Sequence, residues 1–317
     1  PNNELARTAL QKLGLESDKL PEDLCTHPSV GCEDCRVVRL ELKAWLNGTM
    51  EAFQAVDSVS PFTALRRLSL KGSVLSGDLR SLVNLTALEV MDLSGTAVSG
   101  NITSLSGLRK LVSLQLKKTQ VEGDVGSLSP LTALRWLTLA KSGVSGDVQS
   151  LATLTALEEL RIAKCKISGN VEGLSKMRNL RQLSMSFTKV GGDISSFKTL
   201  TSLEIMYAEK TRISGDVKAL SSLKALERLS FERSSVFGDV RVFSALPIAD
   251  LWLKQTKVSG DIGSLSNLTS LKNLRLDSTK VTGDITGVSK LSKLKILSLD
   301  HVKVTGHLNA LSGLSAL

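Results

Sequence analysis

The sequence predicts an α/β solenoid, a chain wound into stacked coils, and two observations carry that prediction. Glycine recurs at Gly77, Gly100, Gly123, Gly146, Gly169, Gly192, Gly215, Gly238, Gly260, Gly283 and Gly306, in steps of 23 residues with a single step of 22. Around each glycine the same apolar frame returns, typified by LTALRWLTLAKSGVSGDVQSLAT from Leu131 to Thr153. A period kept over most of 317 residues means that each unit leaves an apolar face open and completes it against the next.

One unit gives the coil. Numbered from Leu134 as position 1, Leu137 and Leu139 at positions 4 and 6 alternate with outward positions 3, 5 and 7, which is strand spacing. Val144, Val148, Leu151 and Leu154, at positions 11, 15, 18 and 21, are too irregular for one helix or strand and read as inward groups of a chain turning through a loop. The glycine at position 13 suits a site that needs positive φ or close approach. Stacked coils then pair their LxL strands into one long parallel sheet with strands about 4.8 Å apart.

The pattern LxxLxLxxTxVxGDIxxLxxL resembles a leucine-rich repeat, and GD(V/I/L) after position 12 resembles the LxGxIP signature of the plant-specific class. That resemblance implies a right-handed superhelix over residues 36–317, one degenerate repeat and eleven of about 23 residues with the last incomplete. It further implies a parallel β-sheet on the concave face and short β or 3-10 segments on the convex side. Position 9, asparagine in the family, holds Ser73, Thr96, Thr119, Ser142, Cys165, Thr188, Thr211, Ser234, Thr256, Thr279 and Val302. A hydroxyl ladder donating to the neighbouring coil's carbonyls is expected there. The family's proline is absent, which leaves the second turn free to pair as a short strand. A threonine-and-GD variant of this kind is similar to algal and protist repeats.

Residues 1–35 lack the repeat and are expected to form an N-terminal cap. Leu5, Ala9, Leu10 and Leu13 have helical spacing. CTHPSVGCEDCRVVRLEL resembles the cysteine-paired cap of plant-type repeat proteins, which implies a Cys25–Cys32 disulfide covering the first coil. By residue type alone, Cys25, His27, Cys32 and Cys35 also make a four-ligand zinc set or free thiols. Met50 to Val59 reads as a helical turn after Gly48. At the other end Leu311–Leu317 stops where another strand is due, so continuation of the chain or cover by another body is expected.

Composition narrows the function. A net charge of +9 draws the chain toward anionic surfaces. There is no apolar run of membrane-spanning length. Only His27, His301 and His307 are histidines, and the glycines form no phosphate-binding motif, so no enzyme and no cofactor or metal are expected. Sequons at Asn47, Asn84, Asn101 and Asn267 agree with a secretory route and an extracytoplasmic location.

Function is expected on columns of like positions. Position 8 reads Lys118, Lys141, Lys164, Phe187, Lys210, Arg233 and Gln255, and position 10 adds Lys166, Lys189, Arg212, Lys257, Lys280 and Lys303. Such a ladder repels itself unless counter-charges or a partner compensate. Position 14 is Asp or Asn from Asp78 to Asp284 and His307 thereafter, read as side chains bonding their own turn's N–H groups. Trp136, Tyr207 and Trp252 on the sheet, with Arg161, Arg228 and Arg275, are interface-type anchors. The expected role is a recognition module, receptor-like or secreted, for a protein, peptide or glycan with an anionic surface. Secreted plant inhibitors of pectin-degrading enzymes are similar in size, charge and repeat count but carry a C-terminal cysteine cap that this chain lacks. A scaffold subunit of a larger assembly is the alternative. Nucleic acid is not expected, because aromatics do not interleave with the lysines.

Overall fold

A computed structural model describes residues 2–12, 20–42 and 56–317. The chain forms two units, Pro1–Leu157 and Glu158–Leu317. In the first, helix α1 (Asn2–Lys12) buries Ala9 and Leu10, and the Arg7 guanidinium ties it to the carbonyls of Leu20 and Pro21. Leu13 and Gly48 lie outside the described residues, as do Asn47 and most of the stretch expected to make a helical turn; its end, Val56–Val59, is a turn of 3-10 helix. Cys25 and Cys32 form a disulfide, which removes the zinc alternative, and Cys35 is a free, exposed thiol. The bridged strand Val30–Glu33 lies antiparallel on Arg36–Glu41. Parallel strands follow at Arg67–Ser69, Val90–Asp92, Ser113–Gln115 and Trp136–Thr138, one per coil.

The second unit continues the plan. Strands from Glu159–Arg161 to Ile296–Ser298 pair in parallel register, Leu183 opposite Met206 and Leu229 opposite Leu251. Each unit also carries a second parallel sheet at positions 10–14, where the missing proline leaves the backbone free to pair: Ser76–Asp78 to Gly143–Asp147 in the first, Lys166–Asn170 to Lys303–Thr305 in the second. A turn or two of 3-10 helix then leads back to the next strand.

The inward positions are completely buried: Leu134, Leu137, Leu139, Val144, Val148, Leu151 and Leu154 all have zero exposure. Each such side chain contributes roughly 1.5–3 kcal/mol when removed from water, so a coil is stable only while its neighbours cover it. The single 22-residue step is explained at Pro247. Leu246, before proline, is extended (φ −112°, ψ 150°), where its equivalents Leu154 and Met177 have ψ of 56° and 61°. The return is one residue shorter, Ile248 stays buried, and Asp250–Trp252 keeps register with Arg228–Ser230.

The glycine and its following Asp act as a pair between coils. Asp216 Oδ1 accepts from the Lys218 N–H at 2.8 Å and caps the 3-10 turn. Gly238, at φ +113°, lies over that carboxylate so closely that a β-carbon would fall 2.2 Å from Asp216 Oδ1. The same cap recurs from Asp78 to Asp284, with Asn101 and Asn170 serving equally, and fails only at His307.

The expected hydroxyl ladder between coils is not what forms. Thr96, Thr119, Thr188, Thr211, Thr256 and Thr279 each donate at 2.6–2.8 Å to the position-6 carbonyl three residues back in their own coil. A short β-branched side chain reaches back across a four-residue turn, and coil-to-coil bonding is left to the backbone, as in Leu93 N–H to the Gln115 carbonyl.

Candidate functional site

The turn held by those hydroxyls runs from position 6 to position 9, and position 8 is its left-handed residue. Lys118, Lys141, Lys164, Phe187, Lys210, Arg233 and Gln255 all have φ between +51° and +64°; Gly72 and Gly95 occupy the same site in the first coils. The charge bias at position 8 was legible in the sequence, but its backbone conformation was not, because lysine is a poor marker for a site that glycine fits without cost.

In the first unit Lys118 and Lys141 are exposed and border an open groove floored by Gly72, Gly95 and Thr96. Each position-8 N–H there reaches the next coil, Gly95 to the Lys117 carbonyl and Lys118 to the Ala140 carbonyl. Trp136 is half-buried on the sheet face, with the Arg135 guanidinium 4.7 Å from its ring centre.

In the second unit the position-8 residues form a column by the same bonding: Lys164 to the Ser186 carbonyl, Phe187 to Glu209, Lys210 to Glu232 and Arg233 to Lys254, at 2.8–2.9 Å. Phe187, 45% exposed, has the ammonium groups of Lys164 and Lys210 at 5.0 and 4.9 Å from its ring centre. The ring is thus within cation–π reach of two ammonium groups.

The sheet face of this unit gathers a different group. Tyr207 and Trp252, two coils apart at position 5, stack with ring centres 6.0 Å apart and planes 12° apart. Ser230 between them is completely buried and too small to hold them apart. The Arg275 guanidinium lies 5.4 Å over Trp252 and 3.6 Å from Glu232. Arg228 pairs with Asp250 at 3.4 Å, and Arg161 with Glu159 at 3.0 Å and Gln182 at 2.6 Å. The structure therefore joins Tyr207, Trp252 and Arg275 in one platform and Lys164, Phe187 and Lys210 in one edge, whereas Arg161 and Arg228 are held by neighbouring polar side chains.

Sequence reading missed the acidic residues at position 7, Glu209, Glu232 and Asp277, with Lys254 between the last two. Glu209 accepts from the Ser186 hydroxyl. Asp277 is only 1% exposed. Burial pushes its pKa up, but the Ser298 hydroxyl, backbone N–H groups and Lys254 outweigh that and hold it below the usual carboxylate value. The opposite signs of Glu209–Lys210 and Glu232–Arg233 were the available signal. The Trp252 indole N–H, the Ser230 hydroxyl and Glu232 Oε1 are buried without hydrogen-bond partners.

Residues 46–206, just over half of the chain, match the model of a leucine-rich repeat region. The sequence matches no curated protein significantly. Among solved structures, the chain is similar to a plant peptide hormone receptor, RGFR1, in complex with RGF2, at 25% identity and a TM-score of 0.75, over 82% of this chain and 44% of that one. An internalin from Listeria monocytogenes gives 26% identity and 0.70 over 83% and 75%. A plant ice-binding protein gives 20% and 0.70 over 85% and 92%, a likeness of fold. The chain spans less than half the length of the RGFR1 structure. The repeated LxL strands, the capped glycine turns and the matched model leave one assignment, and this chain belongs to the leucine-rich repeat family.

Proposed function

We propose that the chain is a non-enzymatic recognition module that binds a protein or peptide across its LxL-strand face, in a receptor-like or secreted protein with plant-type repeats. The observation that carries this is the Tyr207–Trp252 stack with Arg275 beside it. Stacked aromatics flanked by arginine concentrate binding energy at protein interfaces. RGFR1, similar in fold, has its structure in complex with RGF2. The Cys25–Cys32 bridge supports an extracytoplasmic location. The exposed column Lys164, Phe187, Lys210 and Arg233, and in the first unit Lys118 and Lys141, supports a partner with an anionic surface. The candidate anchors are Trp136, Tyr207, Trp252 and Arg275, with Arg161 and Arg228 in supporting ion pairs.

The test is a displayed random-peptide library panned against the chain, with selected peptides re-measured on Tyr207→Ala and Trp252→Ala. Loss of binding with an unchanged thermal midpoint supports the reading. Peptides that bind both variants as well as the parent overturn it.

A further inference from the structure

The Tyr207–Trp252 stack closes over a gap. Residues two coils apart in a parallel sheet have backbones about 9.6 Å apart, two strand spacings, yet these ring centres meet at 6.0 Å with planes 12° apart. The rings therefore lean toward each other across Ser230, which is completely buried. Among the described residues five side-chain atoms are buried without a hydrogen bond, and three of them gather here: the Ser230 hydroxyl, the Trp252 indole N–H and Glu232 Oε1. The Arg275 guanidinium approaches Glu232 Oε1 only to 3.6 Å, beyond hydrogen-bond length. Unpaired polar groups of this kind are costly in a folded chain, and three at one aromatic pair point to a ligand that pairs them. Tyr207, Trp252, Glu232 and Arg275 are themselves only part-buried, so a ligand can reach them.

We propose that the two rings part to take the guanidinium of an arginine in a peptide partner, flat between Tyr207 and Trp252 and donating to Ser230 and Glu232. This rests on the reading that the LxL-strand face binds a peptide. A flat group between two rings needs about 7 Å, one van der Waals contact of about 3.5 Å on each side. That lies between the 6.0 Å of the closed pair and the spacing of the strands that carry it. Chemistry then selects the occupant. Glu232 repels an anion, and an apolar ring would leave both oxygens unpaired. An ammonium is a compact, strongly hydrated point charge, whereas a guanidinium is planar, weakly hydrated and carries five donors in one plane. Ring faces attract it, as the Arg275 guanidinium 5.4 Å over Trp252 already shows. The neighbouring cations are engaged: Arg228 pairs with Asp250, and Lys254 helps hold the charge of Asp277. Glu209, which accepts from Ser186, adds a second negative charge on the position-7 side. A guanidinium has no acceptor for the Trp252 N–H, but a backbone carbonyl beside it does, which makes the ligand an arginine within a peptide.

The experiment takes the peptides selected from the displayed library and remakes each with its arginines replaced by citrulline, which keeps the planar shape without the charge, or by lysine, which keeps the charge without the shape. Affinities are measured on the full chain and on Glu232→Gln. Peptides that need Tyr207 and Trp252 should contain an arginine at which either replacement weakens binding about tenfold or more. On Glu232→Gln the citrulline penalty should shrink to about threefold or less, because the charge it removes no longer has its partner. A Glu232 that only supports the fold would weaken both peptides alike and leave the penalty intact, which overturns the arginine slot. Free arginine binding as tightly as the peptide also overturns it. Binders that need both rings yet lack arginine, or tolerate citrulline, overturn the slot and leave the peptide reading standing. If no peptide depends on the rings, both fall.

Discussion

Tyr207 and Trp252 stack at 6.0 Å although a whole coil lies between them, because the residue at their level in that coil is Ser230. Two rings leaning together cover the serine completely and leave its hydroxyl without a hydrogen-bond partner. Ser230→Ala should therefore be neutral or stabilising in thermal unfolding, since no hydrogen bond is lost and a buried polar group is removed. Ser230→Leu should separate the rings and change the near-ultraviolet circular dichroism. An unchanged aromatic signal would refute the stack.

The Asp–Gly pair predicts opposite results for two mild substitutions. Asp216→Asn should keep stability, as Asn101 and Asn170 cap their turns in the same way. Asp216→Ala should cost about 1 kcal/mol. Gly238→Ala should cost at least as much, roughly 1 kcal/mol or more, because alanine is strained at φ +113° and its methyl meets the Asp216 carboxylate. Denaturant melts of the single and double variants should show non-additivity, as the two residues touch.

Position 8 gives a test of strain without charge. Gln255, at φ +56°, is exposed. Gln255→Gly should raise stability by a few tenths to about 1 kcal/mol, and Gln255→Val should lower it, because a β-branched side chain fits left-handed backbone worst.

Acid should weaken the turns. Asp193 and Asp284 are held below the ordinary carboxylate pKa, first by the N–H groups of Ser195 and Thr286 that they accept from. A carboxylate depressed in the folded state adds stability above its unfolded value, near pH 4, and that contribution is lost as pH falls through the folded value. Thermal midpoints should be flat from neutrality to about pH 5 and drop below pH 4. Asp193→Asn should reduce that drop without shifting the midpoint at pH 7.

Reduction of the Cys25–Cys32 bridge, which closes a short loop, should lower stability by about 2 kcal/mol. The effect should localise to the first strands, read by hydrogen exchange at Val30–Glu33 and Arg36–Glu41 more than at Leu229.

The coil itself was written in the sequence. Period, inward residues and the Asx caps follow from Leu, Val, Gly and Asp at fixed offsets, because each acts through its own coil or the one beside it, 23 residues away. What the tertiary structure alone decided is what happens on the outside of those coils. That Thr96 and its equivalents staple their own turn, that Lys164 and Phe187 stand in left-handed backbone, and that Tyr207 reaches Trp252 across Ser230 all depend on the spacing and lean of stacked strands. A side chain's offset in the repeat names its column. Its partner within that column is set by distances that exist only once the coils are stacked.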